Sequence, residues 1–401
     1  MKQTLTSERS SPVPGAQALG DWEPPASKSE DTKHGKNEPR MSRLFHAMCL
    51  FVLFVVASAA SFSGFYQKWH FREAGTRGWD AGAEFGKMID GTARRPYIYR
   101  QLLPSTANWL TRALPVEAIS RRLPQNLKQR VSAAFDLSSK AYPVQYLIVY
   151  IATYLAALLA VFALYMVCTA ANLSPPVAVF TPVVFILLFP LFGVKGGYFF
   201  DYPELMFMAA AFYIALKCDW WWLIPVAALG AWNKESFLLF SFTLYPLLRR
   251  RHSRLVSLLA VGVLVAVCTA VYLPIRLHFA HNPGGTVEFH LKDQIDFYLH
   301  PFRLLTWVDR TYDLMFPALS SPIPTLLLFW TAWRGWRHLP FWLKRHAQIA
   351  AVINIPLFFL FCWPGEFRDL SMLFISFFFV IALNLQHWMD HAAQSDTPLA
   401  V

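Results

Sequence analysis

Long apolar segments alternate with shorter polar ones along most of the chain, and this pattern predicts membrane-spanning helices. A helix needs about 20 apolar residues to cross the hydrocarbon core of a bilayer. The first such segment runs from Leu44 to about Tyr66 and is followed by a polar region from Gln67 to Lys140. Further segments lie at about 142–171, 176–195, 202–217, 220–232, 235–248, 255–277, 316–333, 347–363 and 370–388. We therefore predict an all-α polytopic membrane protein with about ten transmembrane helices.

The segments on either side of Asn233-Lys234-Glu235 are the shortest. Each run of about 13 residues reaches only about 20 Å at 1.5 Å per residue. One long helix through this region is the alternative to two short ones.

Two short basic loops predict the orientation of the chain. Their basic residues are Arg249, Arg250, Arg251 and Arg254 in one loop and Arg334, Arg337, Lys344 and Arg345 in the other. Because an even number of predicted spans precedes each loop, both lie on the side of the N-terminus, which the positive-inside rule assigns to the cytoplasm. A single helix through Lys234 would place the first loop on the opposite side, so two short helices are favoured.

The polar segments divide the chain into three predicted parts. Residues 1–42 are rich in Ser, Pro, Lys, Glu and Gly and predict a disordered cytoplasmic tail. An integral membrane domain covers 43–390, and 391–401 form a second cytoplasmic tail. The first outer loop, 67–141, contains apolar residues at helical spacing, which predict an amphipathic helix on the outer membrane surface. These residues are Leu102, Leu103, Trp109, Leu110 and Leu114, and Ala118–Val131 is a second candidate.

Composition narrows the function classes. Hydrophobic residues make up 55% of the chain and charged residues 15%, against about 25% charged in soluble proteins. The net charge of +11 is scattered among apolar segments rather than forming a stripe, so we expect a lipid bilayer and no nucleic acid as partner. His290 and His300 lack metal-ligand spacing, the cysteines are far apart, and no nucleotide-binding or hydrolase motif is present. We predict no metal and no cofactor, since nothing in the spacing supports a divalent cation.

Charged residues at the ends of the predicted spans are the informative feature. Four groups fall on the same, extracytoplasmic face: Asp80 with Glu84, Asp201 with Glu204, the segment Asn233-Lys234-Glu235-Ser236, and Glu366 with Arg368 and Asp369. Ionisable residues at membrane depth usually face a cavity, pair with one another or take part in function. We therefore expect these groups to meet in one site, although each alone also fits an ordinary loop charge.

The first outer loop supplies a candidate base and candidate anion ligands. Asp80 and Glu84 share one helix face, and Asp80 is placed to accept a proton from a hydroxyl. Asp90 competes for this role, but the following Gly91 and Thr92 are typical of a turn. Phosphate-binding candidates follow, because guanidinium groups donate hydrogen bonds in a planar fork and tyrosines suit the headgroup region. These candidates are Arg94, Arg95, Tyr99 and Arg100.

The later groups have both a structural and a functional interpretation. Asp201 and Glu204 fit the first turn of a helix, where the dipole favours acids. Asn233, Lys234 and Glu235 lie between two apolar stretches, where a charge needs a polar cavity. Glu366 and Arg368 repeat this pattern before the last span.

The architecture and its motifs resemble the C-type membrane glycosyltransferase superfamily, over about residues 44–390. The segments that carry the resemblance are Trp79-Asp80-Ala81-Gly82-Ala83-Glu84-Phe85, Tyr99-Arg100-Gln101-Leu102-Leu103-Pro104, Asp201, Asn233-Lys234-Glu235-Ser236 and Gly365-Glu366-Phe367-Arg368. The resemblance is to small bacterial members, although many members have two adjacent acids where this chain has Asp80-Ala81.

The resemblance implies transfer of a sugar from a polyprenyl-phosphate donor to a hydroxyl of a glycan, lipid or protein acceptor. Asp80 would be the general base, with Glu84 and Asp201 as further catalytic acids. Arg94, Arg95, Arg100, Lys234 and Arg368 would stabilise the leaving phosphate, and Tyr99, Glu204, Asn233, Glu235 and Glu366 would bind substrate. The implied location is the inner membrane of a bacterium, with the site on the extracytoplasmic face.

Three alternatives remain open. A lipid-linked glycan polymerase or ligase has similar outer loops, although its main catalytic loop usually comes later in the chain. A transporter or flippase would line a path through the bilayer with polar residues. A membrane scaffold would have no use for a one-sided charge cluster.

Overall fold

The computed structural model is mostly helical, as the sequence predicts, and it describes residues 40–69, 85–123, 125, 141–193, 198–300, 302 and 308–395. All of them belong to one unit, Arg40–Val401. Most of the predicted tail at 1–42 lies outside the described residues.

The bounds of the elements follow the apolar segments closely. The α-helices are α1 (Arg40–Trp69), α2 (Phe85–Ile89), α3 (Leu102–Ala113), α4 (Val116–Arg122), α5 (Tyr142–Ala170), α6 (Pro175–Leu188), α7 (Asp201–Lys217), α8 (Leu223–Asn233), α9 (Ser236–Thr243), α10 (Tyr245–Leu248), α11 (Arg254–His278), α12 (Leu291–Leu299), α13 (Pro322–Trp336), α14 (Phe341–Phe361) and α15 (Phe374–Ser395). Short 3₁₀ helices lie at Tyr97–Tyr99, Phe189–Phe192, Trp220–Trp222 and Phe367–Leu373, and strands β1 (Val308–Thr311) and β2 (Leu314–Pro317) form an antiparallel hairpin.

Five of the described helical segments are long and apolar enough to cross a bilayer. They are Met41–Lys68, Tyr142–Ala170, Pro175–Phe192, Arg254–His278 and Phe367–Ala392. The other predicted spans coincide with α7, α8, α9–α10, α13 and α14, which do not meet both conditions of length and hydropathy. The fold is therefore that of a helical, plausibly polytopic membrane protein, and the predicted number of about ten crossings is not shown.

Helix starts follow local sequence signals. Pro175 and Pro322 stand in the first turns of α6 and α13, where the missing N–H of proline has no intrahelical partner to lose. Ser253 caps α11, because its hydroxyl accepts a hydrogen bond from the N–H of Val256 at 3.3 Å. A helix is present where the first amphipathic helix is predicted, as α3, and α4 overlaps the second candidate up to Arg122, whose remainder lies largely outside the described residues.

The chain breaks at Lys234 into two helices that fold back on each other. Helix α8 ends at Asn233, Lys234 is extended with φ −158° and ψ 139°, and α9 begins at Ser236. The helices approach so closely that a Cβ at Gly230 would lie 2.5 Å from the ring of Phe237. The prediction of two short helices instead of one is confirmed.

Interhelical contacts hold the bundle together. Ser61 of α1 hydrogen-bonds Tyr202 of α7 at 2.8 Å, and His346 of α14 hydrogen-bonds Ser376 of α15 at 2.9 Å. Helices α5 and α7 contact each other along much of their length and both bury alanines, which allow close approach of helices in lipid.

Loop contacts define two ends of the bundle. At one end the segment after α11 contacts the loop between α2 and α3, since Asn282 donates hydrogen bonds to the carbonyls of Gly91 and Ala93 at 2.8 and 3.0 Å. At the other end, Arg251 after α10 donates to the carbonyl of Cys218 after α7. We call the end at Asn282 the cluster end, after the charge cluster described below, and the end at Arg251 the arginine end.

Candidate charge cluster

Charged side chains from four separate segments meet at the cluster end. They come from the turn before α3, the start of α7, the break between α8 and α9, and the 3₁₀ helix before α15. We name as the charge cluster Arg100, Asp201, Glu204, Lys234, Glu235, Glu366, Arg368 and Asp369.

Lys234 lies among three carboxylates. Its Nζ is 2.7 Å from Oε2 of Glu204 and 3.7 Å from both Oδ1 of Asp201 and Oδ1 of Asp369. The side chain is 6% exposed. Because the helix breaks at this residue, its ammonium reaches the starts of α7 and of the last 3₁₀ helix, which supply these acids.

Glu204 joins three segments through one carboxylate. Its Oε2 accepts from Lys234, and its Oε1 accepts from the hydroxyl of Ser371 at 2.7 Å and from that of Ser236. Both oxygens of this buried carboxylate are therefore hydrogen-bonded, as burial of a charge requires.

Asp201 connects the start of α7 to the last 3₁₀ helix. Its Oδ2 accepts a hydrogen bond from the N–H of Tyr198 at 2.8 Å and lies 3.2 Å from Nη1 of Arg368. Arg368 also places Nε 3.0 Å from Oε2 of Glu366, so one guanidinium bridges two acids.

Arg100 and Glu235 form the more accessible part of the cluster. Two hydrogen bonds join them, Nη2 to Oε1 at 2.8 Å and Nε to Oε2 at 3.3 Å. The side chain of Arg100 is 10% exposed and that of Glu235 34% exposed. This fork-to-fork geometry is the one that an arginine also uses to bind a phosphate.

Two aromatic rings lie between the two arginines. The rings of Tyr198 and Phe200 are stacked with centroids 4.9 Å apart. The Cζ of Arg368 lies 4.8 Å from the Tyr198 ring, and the Cζ of Arg100 lies 4.5 Å from the Phe200 ring. These cation–π contacts fix both guanidinium groups in addition to their ion pairs.

The electrostatics keep the central pairs charged. Burial opposes the charged form of Lys234, but Glu204, Asp201 and Asp369 outweigh it and hold the pKa of Lys234 above its usual value. Burial likewise opposes ionisation of Glu235, yet Arg100 lowers the pKa of this carboxyl below its usual value. Both shifts favour the ionised forms of the two side chains.

Several predicted site residues lie elsewhere. Arg94 is half exposed and is 3.8 Å from Glu288, and Arg95 donates to the carbonyl of Gly284, so both contact the segment after α11. Tyr99 is buried, with its ring centroid 6.0 Å from that of Tyr272. Asn233 borders the cluster and donates to the carbonyl of Phe200 at 2.9 Å.

The predicted base lies outside the described residues. Asp80 and Glu84 both belong to the segment 70–84, so their position relative to the charge cluster is left to experiment.

Two residues of the site are not among the predicted site residues: Asp369, which the sequence places in the fourth charged group, and Asn354. Asp369 follows Arg368 directly, and the 3₁₀ helix that carries both residues turns both side chains toward the cluster. A sequence interpreted as an α-helix or a loop does not indicate this direction. Asn354 of α14 holds this short helix, because its amide donates to the carbonyl of Asp369 and its Oδ1 accepts from the N–H of Met372. An isolated Asn in an apolar helix was the available signal.

Among the described residues, the cluster brings together five carboxylates and three cationic groups. Within the part of the chain that the structure describes, no group of three or more His, Cys, Asp or Glu side chains is arranged to hold a metal ion.

Comparison with known proteins gives no identity: no family model, curated protein or solved structure matches this chain.

Proposed function

We propose that the chain is a membrane glycosyltransferase that moves a sugar from a polyprenyl-phosphate donor to an acceptor hydroxyl. One observation carries the proposal: charged residues that pair across as many as 167 positions of the sequence meet in a buried cluster at one end of an apolar helical bundle. A buried ion network is costly to maintain, and ionisable residues at such depth usually have a function.

The Arg100–Glu235 pair is the proposed donor-phosphate site. It is the more accessible pair of the cluster, and the Cζ of its guanidinium lies 4.5 Å from the centroid of the Phe200 ring. An incoming phosphate would bind to Arg100 beside Glu235. Its attraction to the other cations of the cluster, Lys234 and Arg368, would be strengthened by the low dielectric of their surroundings. Lys234 and Arg368 would then stabilise the developing charge on the leaving group.

The proposed reaction forms one bond and breaks one. The acceptor oxygen attacks the anomeric carbon, the bond from that carbon to the phosphate oxygen breaks, and polyprenyl phosphate leaves with the bonding electrons. The hydroxyl proton goes to Asp80 as general base, a role that also requires Asp80 to reach the cluster.

The proposed topology has about ten crossings with the cluster end outside the cytoplasm. It rests on helices α7, α8, α9–α10, α13 and α14 crossing with the five longer segments. The basic loops at the arginine end then follow the positive-inside rule.

A transporter is the second candidate, because ionisable residues at membrane depth also mark substrate and ion pathways. In that case the charge cluster would line the pathway.

The test uses purified full-length protein in vesicles containing radiolabelled polyprenyl-phosphate sugars and a membrane extract as a source of acceptors. We expect label to leave the lipid with the wild type, and loss of at least about 100-fold in Asp80→Asn and in Arg100→Gln. The matched control is Asp90→Asn, an exposed acid in a turn of the same loop. Full transfer by Asp80→Asn would reject this base, and label that crosses the bilayer unchanged would favour the transporter.

A further inference from the structure

The arginine end of the bundle carries exposed cations that do not belong to the charge cluster. We name as the arginine face Arg249, Arg250, Arg251, Arg334, Arg337 and Arg345, all of them exposed. They come from two segments, after α10 and around the α13–α14 turn. The Cζ of Arg250 lies 4.7 Å from the ring of Trp342, which joins the two segments into one surface.

Aromatic rings, not carboxylates, accompany these arginines. The Cζ of Arg334, Arg337 and Arg345 lie 5.6, 5.3 and 5.0 Å from the rings of Trp330, Trp333 and Phe341 respectively. The two members of each pair are four residues apart, on one helix or, for Arg337, directly after its end. The three rings are 52%, 57% and 56% exposed.

Charge is one-sided at this surface. The segments 249–254 and 334–346 contain no Asp or Glu. Among the described residues the acids near this end are Asp219, which is next to the carbonyl that Arg251 contacts, and Asp390 on α15, which accepts from Gln386 at 2.8 Å. The arginines therefore keep a net positive field toward the outside.

An exposed Trp or Phe with a guanidinium on its face matches the boundary between hydrocarbon and headgroups. Aromatic rings are enriched at that boundary, and a guanidinium is weakly hydrated and binds phosphate through two parallel hydrogen bonds. Zwitterionic headgroups carry no net charge, whereas acidic ones attract each nearby arginine by about 1 kcal/mol.

From this arrangement we infer that the arginine face binds the headgroups of acidic phospholipids in the leaflet around it. The partner is a lipid with a net negative phosphate headgroup. The inference does not depend on the proposed transferase activity, because it rests on the opposite end of the bundle.

The experiment measures lipid retention by the purified full-length protein in native mass spectrometry. Phosphatidylglycerol and phosphatidylcholine with the same acyl chains are added in equal amounts. We expect the wild type to retain phosphatidylglycerol preferentially. In the triple variant Arg334→Gln/Arg337→Gln/Arg345→Gln, affinity should fall by about fivefold for each arginine replaced.

Two further variants test whether the lipid preference depends on the position of the arginines or on their charge. Arg112→Gln/Arg121→Gln/Arg122→Gln removes the same charge from exposed positions of α3 and α4 and should keep the preference. The Arg→Lys version of the first triple should retain most of it, since the charge remains. Undiminished phosphatidylglycerol retention in the first triple, or an equal loss in the α3–α4 triple, would overturn the proposal.

Discussion

The two ends of the helical bundle use arginine in opposite ways. At the cluster end, Arg100 and Arg368 are 10% and 11% exposed and each pairs with a carboxylate. At the arginine end, Arg334 and Arg337 are exposed and lie on tryptophan rings, in a segment without acids.

The difference follows from the cost of removing a charge from water. A buried cation requires counter-charges and hydrogen bonds, whereas an exposed one keeps its water and needs none. Removing one partner should therefore have large effects at the cluster end and small ones at the arginine end.

The largest effect is expected for Lys234→Met. This change keeps the length of the side chain but leaves Glu204, Asp201 and Asp369 without their shared cation. Breaking a buried ion pair in this way costs about 3–5 kcal/mol. Thermal unfolding in detergent measures it, and a loss below about 1 kcal/mol would show that Lys234 is solvated.

A smaller effect is expected at the hairpin that carries Lys234. A Cβ in Gly230→Ala would meet the Phe237 ring at 2.5 Å, so we expect overpacking to cost about 1–3 kcal/mol. The matched control is Gly262→Ala in α11, where no atom lies within 4 Å of the added Cβ. If both variants unfold at the same temperature, α8 and α9 do not approach as closely as described.

The pH dependence of stability should reveal the Arg100–Glu235 pair. Because the folded pKa of Glu235 is lowered, its contribution is present above the unfolded value of about 4.3 and is lost as pH falls through the folded value. Unfolding temperatures at acidic pH should fall less steeply for Glu235→Gln than for the wild type, and identical acid slopes would contradict the pairing.

Lys234 has the opposite pH dependence. Its folded pKa is raised, so its contribution to stability is present below about 10.4 and is lost as pH rises through the folded value.

The smallest effect is expected at the arginine end. Arg337→Gln removes an exposed cation that rests on Trp333, so stability should change by no more than about 0.5 kcal/mol. Thermal unfolding next to Lys234→Met gives the contrast directly. A loss at Arg337 as large as that at Lys234 would remove the distinction between the two ends.

The sequence predicts the helices well, because apolar runs and charged breaks are local signals. The break at Lys234 is predicted from the basic residues at 249–254. Under the positive-inside rule they belong on the same side as the second basic loop, and this needs two short helices instead of one. The full number of crossings does not follow, since α8 has only 11 residues and its length does not distinguish a span from a buried helix.

The sequence predicts the cluster only in part. Charge and position single out Asp201, Glu204, Lys234 and Arg368, but not the pairs that they form. Asp369 belongs to the fourth charged group, but the sequence does not select it as a site residue, because the direction of its side chain depends on a 3₁₀ turn held by Asn354, a tertiary contact. The sequence also predicts Arg94 and Arg95 as site residues, because a loop sequence does not indicate which neighbour each side chain will contact. Arg94 lies near the carboxylate of Glu288, and Arg95 donates to the carbonyl of Gly284.

The most direct test of the account is a double-mutant cycle between Arg368→Gln and Asp201→Asn, measured by thermal unfolding in detergent. These residues are 167 positions apart, and their side chains meet at 3.2 Å in the buried cluster. We predict a coupling of about 1–3 kcal/mol, because each single change removes one of the partners of the other buried charge. Additivity within about 0.5 kcal/mol would mean that the two do not touch, and would contradict the convergence on which the proposed site rests.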